Sequence, residues 1–292
     1  MISSRPRISV GVPVRNGERF LPEALDSLLA QSYKDFELII SDNASSDRTP
    51  SICQEYAARD PRIRYHRSEQ DMGLANNFNC LFIRARGEYF KWAAADDVHE
   101  PDWISNCLAV LEQDPSVVLV YGKTKFIDEN GALVEETDPG FDLRFDAAID
   151  RLRYVISANS WVNAIFGLIR TRDLAKTRLF PNYPGGDYPL LAELAVLGKF
   201  VEVPDILFRR RLHPGASSQH TGDSGFMVRL WTAGGRRGSP TWSRSRDDLR
   251  TILNSGLSAG EKLSLEMSLL RTMIRARRHL WAELQRGLFS RG

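Results

Sequence analysis

Cysteine is scarce in this chain. Only Cys53, Cys80 and Cys107 occur in 292 residues, far apart and never as a CxxC pair. An odd, scattered set of thiols builds neither a disulfide framework nor a zinc knuckle, and it fits reduced, mostly buried side chains in a cytosolic protein. Long apolar runs are missing too. No stretch approaches the ~18 uninterrupted apolar residues of a membrane-spanning helix, and the opening MISSRPRISVGVPV lacks the charged start and apolar core of a secretory signal. The expectation is a cytoplasmic protein. Charge of one sign is also lacking: 39 basic and 37 acidic residues leave a net +2, so no global basic field argues for nucleic acid. The glycine fingerprint GxGxxG is absent after the first apolar run, where GVPVRNG stands instead, and GxxxxGK[ST] is absent throughout. Dinucleotide binding of the usual kind and P-loop phosphate transfer are thereby disfavoured.

What is present is alternation. RISVGVPV (7–14), DFELIIS (35–41), RIRYH (62–66), EYFKWAAA (88–95) and SVVLVYG (116–122) are short, β-rich and bounded by polar stops. Between them, ERFLPEALDSLLAQ (18–31), DRTPSICQEYAARD and LANNFNCLFIRARG carry apolar residues at helical spacing, with Asp47 as a cap and Gly87 as a stop; another helix starts near Pro101. Strands alternating with helices predict an α/β fold around a mixed, mostly parallel sheet with helices on both faces. Further on, FIDENGALV (126–134) predicts a hairpin turning at Asn130-Gly131, NAIFGLIR (163–170) a strand, YPLLAELAVLG (188–198) a helix, and KFVEVPDILFRRRLH one or two strands.

In an open α/β sheet, ligands bind beyond the carboxyl ends of the strands. Three polar clusters stand at such ends: PVRNGE (13–18), SDNASSD (41–47) and AADDVHE (94–100). The third is the most demanding, because adjacent carboxylates repel unless something positive lies between them. Asp96 and Asp97 suit a hard divalent cation that keeps some waters and meets a phosphate. The plainer alternative is a strand-exit turn into the helix near Pro101, with Asp42 and Asp47 as turn and capping residues.

The stretch ISVGVPVRNGERFLPEALDSLLAQSYKDFELIISDNASSDRT closely resembles the opening of family 2 glycosyltransferases, and MGLANNFNCLFIRARGEYFKWAAADD continues the match into that family's DxD region. The resemblance covers roughly residues 7–125 closely and 160–218 more loosely. It implies a GT-A fold, Rossmann-type, and transfer of a sugar from a nucleotide-diphospho-sugar donor to a glycan or glycolipid acceptor, with inversion and with Mn²⁺ or Mg²⁺ as cofactor. Carried over by position, Pro13, Val14, Arg15, Asn16 and Glu18 would line the nucleotide pocket, with Arg15 where an aromatic residue is common. Asp42 and Asn43 would meet the base, Asn77 and Asn79 the donor. Asp96 and His213 would hold the metal, Asp97 would contact sugar or ribose, and Asp187 would be the general base, with Arg210 or Arg211 near the phosphates. The first acid of a full DxD is Ala94 here, a departure that weakens the implied metal site. A sugar-nucleotide pyrophosphorylase would want a glycine-rich basic loop after the first strand, which PVRNGE does not supply. A degenerate sugar-nucleotide-binding or scaffold protein is the non-enzyme alternative.

By this reading residues 1–218 form the catalytic domain, with 1–125 binding the donor and 126–218 the acceptor, and 219–292 form a linker and a C-terminal helical appendage. The segment TAGGRRGSPTWSRSR (232–246) has loop composition. After it, Leu263, Met267, Leu270, Ile274 and Trp281 recur at roughly helical spacing among Arg271, Arg275, Arg277, Arg278, Arg286 and Arg291. Such a stripe packs on the catalytic domain or lies on an anionic membrane; packing is the expectation, with peripheral contact at the inner face of the membrane as its rival. Trp92, Trp103 and Trp161 are expected in the core rather than at a sugar platform.

Overall fold

The computed structural model describes residues 5–135, 138, 140–158, 163–216, 224–233, 239–277 and 281. Trp161, residues 219–223 and the arginines at 278, 286 and 291 lie outside them.

Four parallel strands form one half of the sheet in the order β3-β2-β1-β4: β1 (Ile8–Val14), β2 (Phe36–Asp42), β3 (Ile63–Arg67) and β4 (Tyr89–Trp92). Every residue of β1 and β2 is buried, because helices cover both faces of these strands. Leu38 and Ile40 face one core while Ile39 faces the other, the period-2 geometry of a strand serving two layers. The connecting helices are α1 (Leu21–Leu29), α2 (Thr49–Arg59) and α3 (Leu74–Arg84). Pro22 and Pro50 stand in their first turns, where a missing N–H costs nothing. Gly87 does not stop α3, which ends at Arg84; it lies where a Cβ would meet the backbone of Ser9 at 2.6 Å.

From β4 the sheet continues through β8-β6-β9-β5. β5 (Val98–His99), β6 (Val117–Ile127), β8 (Leu168–Arg170) and β9 (Lys199–Arg211) mix directions: β8 is antiparallel to both β4 and β6, while β6 and β9 run parallel. β7 (Leu133–Val134) returns antiparallel on β6 through the Asn130-Gly131 turn, with Gly131 at φ +84°. KFVEVPDILFRRR forms one 13-residue strand, β9. NAIF is a 3₁₀ turn rather than strand, and only Leu168–Arg170 pairs. β5 is two residues long, too short for periodicity to reveal, and it pairs with β9 immediately after the acids.

α4 (Trp103–Gln113), α5 (Ala148–Ser157), α6 (Thr171–Leu174) and α7 (Asp187–Leu197) complete the layers. Trp92 and Trp103 are buried in the two cores. The C-terminal helices α8 (Ser224–Trp231), α9 (Pro240–Asn254) and α10 (Ala259–Arg275) belong to the same packing, since Trp231, Ile252, Leu265 and Leu269 share a cluster with Leu152 and Leu191. The stripe expected to pack does not: Leu263, Met267, Leu270 and Ile274 are each at least half exposed, and α10 buries Leu265 and Leu269 instead. GLSAG (256–260) has the spacing of a nucleophile elbow, yet no strand precedes it. Ser258 is committed to a capping box with Glu261 at the start of α10.

Candidate active site

Loops leaving β1, β2 and β4 converge with residues 213–216 on a cleft of 530 Å³. Its walls include Pro13, Val14, Arg15, Asn16, Asn43, Asn77, Asp96 and His213. A larger cavity of 730 Å³, around Arg7, Gly87 and Arg170, lies at the opposite ends of β1 and β4 and contains none of these residues.

Asp96 and His213 meet in the cleft, His213 Nε2 standing 2.9 Å from Asp96 Oδ2. The imidazole is held against the Phe20 ring, centroids 4.6 Å apart. Asp97 turns the other way. Its side chain is buried and its Oδ1 accepts the Arg211 backbone N–H at 2.8 Å, tying the loop between β4 and β5 to β9. Burial, reinforced by the Asp96 charge, pushes the Asp97 carboxyl up to about 8. The Arg211 guanidinium is equally committed: it donates to the Asp96 carbonyl at 2.9 Å, to the Asp128 carbonyl at 3.1 Å and to Glu23 at 2.5 Å. Arg210 donates to Asn163 Oδ1 at 2.6 Å, and its charge acts on both Asp97 and Asp187.

At the β1–β2 end, Asp71 organises the wall. Its Oδ1 accepts from Asn43 Nδ2 at 2.7 Å and from the Gly73 N–H at 2.8 Å, while Oδ2 pairs with Arg15. Asn43 Oδ1 in turn accepts the Met72 N–H at 2.7 Å. Asn16, at φ 51°, donates its N–H to Ser45 Oγ at 2.9 Å. Asp42 is fully buried beneath the cleft, accepting from the Ser45 N–H and the Tyr65 hydroxyl, both at 2.9 Å. Glu18 accepts the Arg48 N–H at 2.9 Å, outside the cleft. Asn77 lines the cleft and donates to the Ser41 carbonyl at 3.2 Å. Asn79 faces elsewhere, bridging both backbone groups of Phe180 at 2.9 and 3.0 Å.

Asp187 is the first residue of α7 and half-buried; burial holds its carboxyl above the usual range, opposed by the charges of Arg244 and Arg210. Arg244 comes from α9 and stacks over the Tyr188 ring at 3.9 Å. α8 adds Leu230 to the cleft wall. Where α8 ends, the Trp231 carbonyl stands 2.4 Å from where a Cβ on Gly73 would be, so only glycine, here at φ +77°, admits it. The pattern of the sequence missed Asp71, Arg244 and Leu230. The D-x-G spacing of Asp71 and Gly73 before a helix was a readable turn signal, whereas nothing local marks Arg244.

Among the described residues, no group of three or more His, Cys, Asp or Glu side chains is arranged to hold a metal. The Asp96–His213 pair offers one carboxylate oxygen and one imidazole nitrogen on the cleft wall. That donor set fits a divalent ion taking its remaining oxygens from water and a diphosphate.

An open sheet with a parallel β3-β2-β1-β4 half, and an acid and a histidine meeting at its carboxyl edge, form an α/β fold of the GT-A type. Residues 9–166 match the model of Glycosyl transferase family 2, and the chain belongs to that family. It is 35% identical over 125 residues to an uncharacterized glycosyltransferase of Rickettsia prowazekii, covering 42% of this chain and 38% of the relative. It is 27% identical over 215 residues to chondroitin synthase of Escherichia coli, covering 71% of this chain and 29% of that protein. Among solved structures, S. aureus TarS 1–349 in complex with UDP-GlcNAc superposes with a TM-score of 0.71 at 18% identity, covering 92% of this chain and 73% of that one. Mannosyltransferase PcManGT from Pyrobaculum calidifontis, in complex with GDP-Man and Mn²⁺, gives 0.56 at 18%, covering 94% and 76%. The chain spans only 38% and 29% of the two curated relatives named here.

Proposed function

We propose that this chain is a glycosyltransferase that moves a sugar from a nucleotide-diphospho-sugar to an acceptor hydroxyl with inversion, in envelope or polysaccharide biosynthesis, the acceptor being a glycan or glycolipid. The observation that carries this reading is the Asp96–His213 contact on a cleft that Arg15 and Asn43 also line. The donor's nucleoside lies against Pro13 to Asn16 and Asn43, and its diphosphate points to Asp96 and His213. A divalent ion, Mn²⁺ or Mg²⁺, held there by Asp96 and His213 supplies charge neutralisation for the leaving diphosphate. Asp187 takes the proton of the acceptor hydroxyl; its raised proton affinity is an asset, because a carboxylate too acidic is a poor base. The charges of Arg244 and, after it, Arg210 oppose the burial that raises the Asp187 carboxyl and favour its ionised form. Leu230 and the wall it joins exclude water from the anomeric carbon.

A second reading, donor binding without turnover, is favoured by Ala94, which removes the first acid of the usual metal motif. One experiment separates the two. Donor hydrolysis is followed for UDP-, GDP- and dTDP-sugars with and without Mn²⁺, for wild type and Asp96→Ala. Metal-dependent release of nucleoside diphosphate that Asp96→Ala abolishes supports transfer; metal-dependent binding with no turnover, even with acceptors supplied, supports the binding protein.

A further inference from the structure

The outward face of α10 is apolar where an ordinary surface helix is polar. Leu263 is 59% exposed, Met267 50%, Leu270 57%, Ile274 52% and Trp281 65%. At 100° per residue the four on α10, Leu263, Met267, Leu270 and Ile274, fall within an arc of roughly 60°. They point away from Leu265 and Leu269, the residues that seat the helix on the core. α2 shows the usual pattern, its exposed positions being Ser51, Gln54, Glu55, Ala58 and Arg59, with no large apolar side chain among them. Leu253, 53% exposed at the end of α9, lies next to the stripe, since Lys262 donates to its carbonyl at 2.9 Å. Core packing therefore does not account for this stripe, and a water-facing helix gains nothing from it.

Charge identifies what covers it. From Met267 to Trp281 the sequence holds Arg271, Arg275, Arg277 and Arg278 and no acidic residue. By the same helical arithmetic, Arg271 and Arg275 flank the stripe on one side and Glu266 on the other; Arg271, Arg275 and, just past the helix end, Arg277 are all exposed. An apolar stripe bordered along one side by Arg271 and Arg275, with Arg277 exposed just beyond its end, matches a bilayer interface, where the stripe enters the acyl boundary and the guanidinium groups stay at the phosphates. We propose that α10 is a peripheral membrane-docking helix that seats this chain on a lipid surface rich in anionic headgroups. The assignment is independent of which donor the cleft takes.

The test is co-sedimentation of the full chain with vesicles of phosphatidylglycerol and phosphatidylcholine, against vesicles of phosphatidylcholine alone. Wild type is expected to sediment with the anionic vesicles at low salt and to be released at high salt. Met267→Glu/Leu270→Glu/Ile274→Glu is expected to weaken sedimentation at least ~10-fold, and Arg271→Glu/Arg275→Glu to remove its salt dependence. All these positions are exposed, so circular dichroism and Tm should match wild type. Failure to sediment with anionic vesicles, or equal binding by the triple-Glu variant, overturns the proposal. Light scattering on the same samples covers the rival occupant: a dimer that the triple-Glu variant splits, without vesicle binding, assigns the stripe to a second copy and also overturns it.

Discussion

His213 Nε2 stands 2.9 Å from Asp96 Oδ2, joining residues 117 positions apart in sequence. One comes from the loop after β4 and the other from the segment after β9, so the pair exists only when both halves of the sheet are folded.

Removing either partner should therefore uncouple metal from nucleotide. Asp96→Ala and His213→Ala are expected to lower Mn²⁺ affinity in the presence of a nucleoside diphosphate by at least the ~10–100-fold typical of outer-shell losses. Isothermal titration checks this, with Tm as the control for folding. Unchanged affinity in both variants would remove the pair from the metal site.

Asp187 supplies a pH test. A base works when ionised, so activity is present above its pKa and lost as pH falls through it. Burial raises that pKa, so the acid limb of kcat should lie above the ordinary carboxylate value of 3.8. Asp187→Asn should lower kcat by ~10²–10⁴ with a smaller change in KM. A limb that persists unshifted in a residually active Asp187→Asn enzyme would assign the titration elsewhere.

Asp71 touches no ligand in this scheme, yet it holds Arg15 and Asn43 together. Asp71→Ala should raise donor KM roughly tenfold or more, the effect of losing charge-assisted hydrogen bonds of ~1.5–3 kcal/mol, while kcat changes less. Asp71→Asn, which keeps one acceptor, should recover part of the loss. A fall in kcat alone would argue against a positioning role.

Lys91 is fully buried on β4, its Nζ 2.7 Å from His99 Nε2 and 3.8 Å from the Trp103 ring centroid, with Cys107 and Asp97 also acting on it. Burial lowers its pKa to about 7, against an unfolded value of 10.5. The unfolded chain thus binds the proton more tightly, so the cost to stability is full below pH 7 and relieved as pH rises toward 10.5. Tm is expected to climb over that window, and Lys91→Met should flatten the climb. An unchanged slope would place the titration on another group.

The sequence alone carried the first half of the fold. β1 and β2 are apolar on both faces because helices cover both, and that pattern needs no knowledge of partners to be legible. Likewise the order of polar stops after those strands located the cleft edge, and Arg15, Asn43, Asn77 and Asp96 line it. What local pattern could not reach was direction. Asp96 and Asp97 are neighbours, yet one faces the cleft and the other is buried against Arg211, because β5 pairs with β9 immediately afterwards. Asp42 and Asn79 are polar residues at plausible positions whose hydrogen bonds are taken up inside the protein. Leu230 reaches the cleft, and Arg244 the surroundings of Asp187, from helices with no local sign of it. In α10 periodicity marked an amphipathic helix, but which stripe became buried was decided by packing, since Leu265 and Leu269 meet the core while Leu263, Met267, Leu270 and Ile274 do not. Periodicity measures what a helix can bury; only its neighbours determine which face they cover.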